Sequence, residues 1–367
     1  MNRLVFSSEL LEKTDRYSKD FFLPDFPWTE DGDFDRAAAL ETMLSEEYGF
    51  VRDEGVTVRV EKAKERSALY AGKCRKYVQF VFSLSRGERT ASFPVDVFFP
   101  NTDRETPFVV ALSFSMGIER CYCPLEELMG RGVAVAHVLY TDVSSDDGDF
   151  ESGIAPLLVP DRADPTAAGK LAIWAYAANL IGRFLLDEGY AKPGKLFVSG
   201  HSRLGKTALL TAAVYPQFDG VHVNNSGCSG FAISREKGGE TIAKICDKFP
   251  YWFAPAYYQY AERENEAPFD QHYLAALVAP RLLSVSTAEQ DTWADTEAQY
   301  LCAEAASVVY EKCGSVGLDE SGGLLTTPSA STAGRIGLFM RRGTHYFSRD
   351  DWNFFVDFLE SKQVFEP

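Results

Sequence analysis

The stretch Val198-Ser199-Gly200-His201-Ser202-Arg203-Leu204-Gly205-Lys206 puts a serine between two glycines. An apolar β run (195–199) precedes it and an apolar helical run (207–215) follows it. A strand that reverses sharply into a helix can hold a serine hydroxyl proud of a sheet, at the positive end of the helix. Ser202 therefore reads as a nucleophile for acyl transfer. A serine needs a base to take its proton, and the base needs an acid to orient it. Only five histidines are available. His137 lies in an apolar strand and reads as core, and His222 is also in a strand. His201 neighbours the serine, but its side chain is expected to point the other way, and His272 is equally readable as structural. His345, in Arg341-Arg342-Gly343-Thr344-His345 after the last strand, is the base. For the acid, Asp291 follows the strand 281–287 and lies between serine and histidine in the chain, an order that a strand-to-helix serine turn commonly has. Glu289 is a lesser option, and N-capping explains Asp295 at the start of a helix. Glycine stands at 205 where the usual Gly-x-Ser-x-Gly turn would have it at 204. The helix dipole disfavours a cation such as Arg203 at a helix start, and that cost points to a use, donation to an oxyanion.

The surrounding elements are those needed to hold such a turn. A helix is expected over 34–48, capped by Asp33 or Asp35, with Ala37, Leu40, Met43 and Leu44 on one face. Strands over 56–60, 77–84 and 91–99 are separated by charged and glycine-containing turns, as in an antiparallel edge. From residue 107 apolar strands (108–114, 132–140, 195–199, 221–225, 281–287, 336–341) alternate with helices (124–131, 166–190, 207–215, 295–313, 350–362). That alternation predicts an α/β fold: a mostly parallel sheet with antiparallel N-terminal strands, helices on both faces, and ligands at the C-terminal strand ends. One domain over 1–367 is expected, with 1–50 as an extension. The acidic stretch 141–164 reads as a solvated loop, and the aromatic-rich stretch 226–280 as a pocket wall.

With 53 acidic and 37 basic residues the net charge is −16, which opposes binding to nucleic acid or to anionic membranes. Seven irregularly spaced cysteines argue against a secreted disulfide framework. Cys121 and Cys123 lack the matching pair a zinc site needs. With no apolar run long enough to cross a bilayer and no export signal in view, the expected location is cytoplasmic, or secreted if a leader has been removed.

Several segments together resemble the glucuronoyl esterases, carbohydrate esterase family fifteen, of the α/β-hydrolase superfamily. They are Gly200 to Lys206, Asn225-Ser226-Gly227-Cys228-Ser229-Gly230, Gly239-Glu240-Thr241-Ile242, Phe249-Pro250-Tyr251-Trp252-Phe253, Asp270-Gln271-His272, Ala279-Pro280-Arg281, Asp291-Thr292-Trp293-Ala294-Asp295, and Gly343-Thr344-His345 with Asp351-Trp352. The likeness spans most of the chain and implies an α/β-hydrolase fold. It implies a serine carboxylester hydrolase acting on a glucuronoyl or 4-O-methyl-glucuronoyl ester of a carbohydrate, with no metal. It assigns Ser202 as nucleophile, His345 as base and Arg203 as oxyanion donor, and it implies that Lys206, Glu240 and Trp293 bind the sugar. Many members carry a glutamate of the triad where this chain has Asn225, which again leaves the acid to Asp291. An acetylxylan esterase or another carboxylesterase is the alternative activity, and a catalytically silent carbohydrate-binding relative the alternative of another class.

Overall fold

The strand Phe108–Ser113 is buried along its whole length, and its side chains divide by parity. Phe108, Val110 and Leu112 join one hydrophobic cluster, and Val109 and Ala111 another. A strand apolar on both faces needs a covering layer on each side. The computed structural model, which describes residues 3–114, 122–319 and 326–366, has this layered form. Cys121 lies outside the described residues.

In chain order the strands are β1 (Arg3–Val5), β2 (Phe22–Pro24), β3 (Thr57–Leu69), β4 (Cys74–Arg86), β5 (Arg89–Pro100), β6 (Phe108–Ser113), β7 (Ala134–Leu139), β8 (Leu196–His201), β9 (Gly220–Asn224), β10 (Leu282–Ala288), β11 (Ser329–Ser331) and β12 (Ile336–Arg341). β1 and β2 form a small antiparallel pair. The other ten make one sheet in the order β11-β12-β10-β9-β8-β6-β7-β5-β4-β3. From β7 through β6, β8, β9 and β10 to β12 the pairing is parallel; β3, β4 and β5 continue it antiparallel. Helices Lys170–Asp187, Arg203–Val214 and Thr296–Lys312 pack their apolar faces into one cluster. Helices Leu125–Gly130 and Arg349–Ser361 cover the other face, where Trp352, Phe355 and Phe358 join the same cluster as Phe197 and Phe355 meets it edge-on. The fold is thus a mostly parallel α/β sheet with antiparallel N-terminal strands, as the pattern predicts. Among the described residues no helix is long and apolar enough to cross a membrane.

Three local expectations need correction. The strand over 56–60 runs on to Leu69 through Glu61-Lys62-Ala63-Lys64-Glu65-Arg66. β3 is an edge strand with mostly exposed side chains, so it shows no apolar alternation, and its charges guard the edge. The helix over 34–48 is α-helical only over Arg36–Met43, capped by Asp35, which accepts from the Ala38 amide. It then widens into a π-type turn over Leu44–Tyr48, and its buried face runs through Ala39 and Met43, leaving Ala37 exposed. The stretch 141–164 is not a solvated loop. Val143, Ile154, Ala155, Leu157 and Leu158 are core residues, and short helices form over Tyr140–Val143 and Ala155–Leu158. The many aspartates mask this apolar content when the stretch is read by composition.

Candidate active site

β8 ends at His201 and the next helix begins at Arg203, so Ser202 alone makes the turn. Its φ is 56° and ψ −124°, a conformation an L-residue rarely adopts. The turn is held by the Ser202 amide donating to Asn224 O (2.9 Å) and by the helix closing back with Lys206 N on Ser202 O (3.0 Å). Backbone strain of this kind is characteristic of a serine presented at the top of a strand. β9 separates β8 from β10, and β12 lies beyond β10, so the loops bearing Ser202, Asp291 and His345 leave the same edge of the sheet.

Asp291 and His345 meet there. His345 Nδ1 lies 2.6 Å from Asp291 Oδ2, and since a carboxylate only accepts, Nδ1–H is the donor. The Asp291 side chain is 1% exposed and that of His345 38%. The second carboxylate oxygen accepts from the Ala294 amide (3.2 Å), which fixes the group from behind. Asp295 is occupied elsewhere: it caps helix Thr296–Lys312 through the Ala298 amide, accepts from Gly238 N and pairs with Arg16. Glu289 is exposed.

The remaining histidines divide into core and neighbour. Burial pushes His137 to about 4, His222 to about 3 and His272 to about 4, so all three stay neutral in the folded protein near neutral pH. His272 bonds Pro24 O (2.9 Å) and packs edge-on against Phe26, tying down the N-terminal segment. His201 is nearer the site than its sequence position suggests. Its ring centroid is 4.5 Å from that of His345, and its Nδ1 is 2.5 Å from Asn224 Oδ1. Burial, and then the neighbouring His345, hold its pKa well below the usual histidine value. His201 is a neutral ring behind the base.

Arg203 does not lie free on the surface. Its guanidinium pairs with Asp146 and sits over Trp252 (4.6 Å), Phe249 (5.1 Å) and Phe114 (5.5 Å). Asp146 in turn accepts from Trp252 Nε1 (2.7 Å) and from the Tyr140 hydroxyl (2.7 Å). Sequence reading missed Asp146. The available indication was positional: it follows β7, at the sheet edge where ligands bind in such folds.

Lys206, Glu240 and Trp293 form a line. Trp293 Nε1 donates to Glu240 Oε1 (3.1 Å), and Lys206 Nζ donates to Glu240 Oε2 (2.9 Å). Lys206 is 2% exposed, and its other two N–H bonds go to the carbonyls of Ser226 and Cys228. It is therefore no open donor; it anchors Glu240, which is itself 7% exposed. Trp293 is 47% exposed, with Lys244 Nζ 5.4 Å from its ring centroid. Asn225, at φ 44°, is buried, and neither polar atom of its amide has a partner among the described residues.

Residues 82–314 match the model of a family described as glucuronyl esterase, fungi. Among curated proteins, the chain is 33% identical over 253 residues to carbohydrate esterase MZ0003 from an unknown prokaryotic organism. That match covers 68% of this chain and 58% of the relative. It is 27% identical over 191 residues to a 4-O-methyl-glucuronoyl methylesterase of Podospora anserina, covering 48% of this chain and 40% of that one. The matched region thus spans about half the length of these curated relatives. Among solved structures, a glucuronoyl esterase from Solibacter usitatus superposes with a TM-score of 0.82 at 25% identity, covering 95% of this chain and 99% of that one. A promiscuous CE15 esterase from a marine bacterial metagenome superposes with a TM-score of 0.79 at 25% identity, covering 92% and 97%. With well over half of its length matched to one family model and near-complete superposition on that family's solved members, the chain belongs to the glucuronyl esterase family, carbohydrate esterase family fifteen.

Proposed function

We propose that this protein is a serine carboxylester hydrolase that cleaves glucuronoyl esters of carbohydrates through an acyl-enzyme on Ser202. The observation that carries the reading is the contact of His345 Nδ1 with the buried Asp291, on the edge of the sheet where the strained Ser202 also stands. Asp291 keeps the Nδ1–H tautomer of His345, so Nε2 is free to accept a proton. Ser202 Oγ attacks the ester carbonyl as its proton passes to Nε2. The negative oxygen that develops takes hydrogen bonds from the Arg203 backbone N–H and guanidinium. Collapse expels the alcohol, which takes the proton from His345. Water then attacks the acyl-serine with the same histidine as base, and the uronic acid leaves.

The names of the relatives support glucuronic acid as the acyl half: 4-O-methyl-glucuronoyl methylesterase and glucuronoyl esterase. Trp293 serves as the platform on which a sugar ring stacks, with Glu240 holding its indole in place. Lys206 acts on the sugar through Glu240.

The test is hydrolysis of methyl glucuronate, beside an acetylated xylose, by wild type and Ser202→Ala. Loss of glucuronate-ester cleavage in the variant is expected, with the acetylated sugar a poorer substrate of the wild type. Equal rates for wild type and variant would sink the acyl-enzyme. Faster cleavage of the acetylated sugar would move the assignment to an acetylesterase.

A further inference from the structure

The geometry points to Asp146 as the positioning residue of the oxyanion arginine, an inference that rests on the role proposed above for Arg203. An arginine in the first turn of a helix faces the positive end of the helix dipole, so left alone it would turn outward to water. Here its side chain is only 20% exposed, and a carboxylate that is 13% exposed holds it. That carboxylate comes from the segment after β7, a different element, 57 residues earlier in the chain.

Asp146 is itself fixed from three directions. Oδ1 accepts from Trp252 Nε1, Oδ2 accepts from Tyr140 as well as from Arg203, and its backbone carbonyl accepts from the Tyr251 hydroxyl (2.8 Å). Trp252 does two jobs, donating to Asp146 and lying under the guanidinium. The result is a planar cation clamped between an ion pair and an aromatic face. Asp146 engages Nη1, and Nε–H, though buried, has no partner among the described residues. A guanidinium whose direction is fixed, with part of its side chain still open at 20% exposure, is what a preorganised oxyanion contact needs.

The carboxylate has two opposed effects. It partly cancels the charge of Arg203, which weakens transition-state stabilisation, and it fixes the direction of the N–H bonds, which strengthens it. The proposal is that direction dominates. Asp146→Asn removes both at once and so reads their net sign: the amide oxygen still accepts from Trp252, while the charge and the acceptor for Arg203 are gone.

The experiment measures kcat and KM for methyl glucuronate in Asp146→Asn, Arg203→Ala, the double variant and Ser202→Ala, with a melting curve for each. Loss of an oxyanion donor lowers kcat about 100-fold or more, and we expect about tenfold for Asp146→Asn with KM within about twofold. The double variant should be no slower than Arg203→Ala alone, because the carboxylate has nothing left to position. Unchanged or raised kcat in Asp146→Asn overturns the proposal, and so do losses that multiply in the double variant. If Asp146→Asn melts far below wild type, Trp252→Phe replaces it: kcat should fall beside Arg203 and not beside Ala at 203, and an equal fall in both overturns the proposal. Ser202→Ala inactive with Asp146→Asn unaffected sinks the positioning role alone; Ser202→Ala active sinks the acyl-enzyme and this proposal together.

Discussion

Asp291 has both carboxylate oxygens committed, one to His345 and one to the Ala294 amide, and its side chain is 1% exposed. Its place is set by the protein and not by solvent, so replacing it changes the chemistry of its partner more than the shape of the site. In Asp291→Asn the amide either donates to Nδ1 or leaves it free to carry the wrong tautomer. We expect kcat to fall by about 10⁴ with little change in KM, as for a triad that loses its orienting charge. Steady-state kinetics on a glucuronate ester, with a melting curve, check this. Trp293 should behave in the opposite way. A stacking platform binds ground state and transition state alike, so Trp293→Ala should raise KM about tenfold and leave kcat nearly unchanged, while Trp293→Phe keeps most of the affinity. A fall in kcat at constant KM would remove Trp293 from substrate binding.

At the level of the element, the turn after β8 is set by close backbone approaches. A Cβ on Gly200 would stand 2.1 Å from Leu204 O, a backbone atom that cannot yield. One on Gly205 would lie 3.0 Å from Asn224 O, where the helix crosses the end of β9. This explains why the glycine is at 205 and not 204: Leu204 is fully buried in the core, and Gly205 makes the close pass. Gly200→Ala should cost about 3 kcal/mol or more, seen in urea unfolding, and should abolish esterase activity together with the turn. A fully stable, active variant would show that the turn can relax. The segment after β7 is a second element whose structure outruns its composition, because Asp146 becomes a half-buried partner of Arg203 only when Tyr140 and Trp252 arrive beside it.

For the whole molecule, buried ionisable groups set the pH range of stability. Glu47 is fully buried, and burial pushes its carboxyl up to about 8 although Gln271 donates to it (2.7 Å). The folded state then holds a proton that the unfolded chain gives up near pH 4.5, so this site's contribution is full at acid pH and is lost as pH rises to about 8. Glu47→Gln should therefore gain on wild type in melting temperature across that window and hold a constant gap above it. A gap that does not change with pH would mean that Glu47 is not protonated in the fold. His137, His222 and His272 act in the other direction. Burial lowers them to about 4, about 3 and about 4, so the unfolded chain takes up protons that the fold excludes, and stability falls as pH drops below about 6.5.

What the sequence alone determined is local or periodic. Apolar strands alternating with helices specify a parallel sheet, because only two covering layers can bury strands apolar on both faces. The glycine-flanked serine specifies a strained turn, and chain order places Asp291 and His345 after strands of the same sheet. The continuation of the edge strand β3 from Glu61 to Leu69 escaped, since its mostly exposed side chains leave no apolar period to read. What only the tertiary structure decided are the partnerships between distant segments. Lys206 could have been an open donor or a buried anchor; the carbonyls of Ser226 and Cys228 made it an anchor. His201 was expected to point away from Ser202, and only the fold brings its ring beside that of His345. Asp146 was one of several aspartates in an acidic run until it met Arg203. Charge and polarity are written in the residue type, but whether a group is solvated or paired depends on which other segments fold against it.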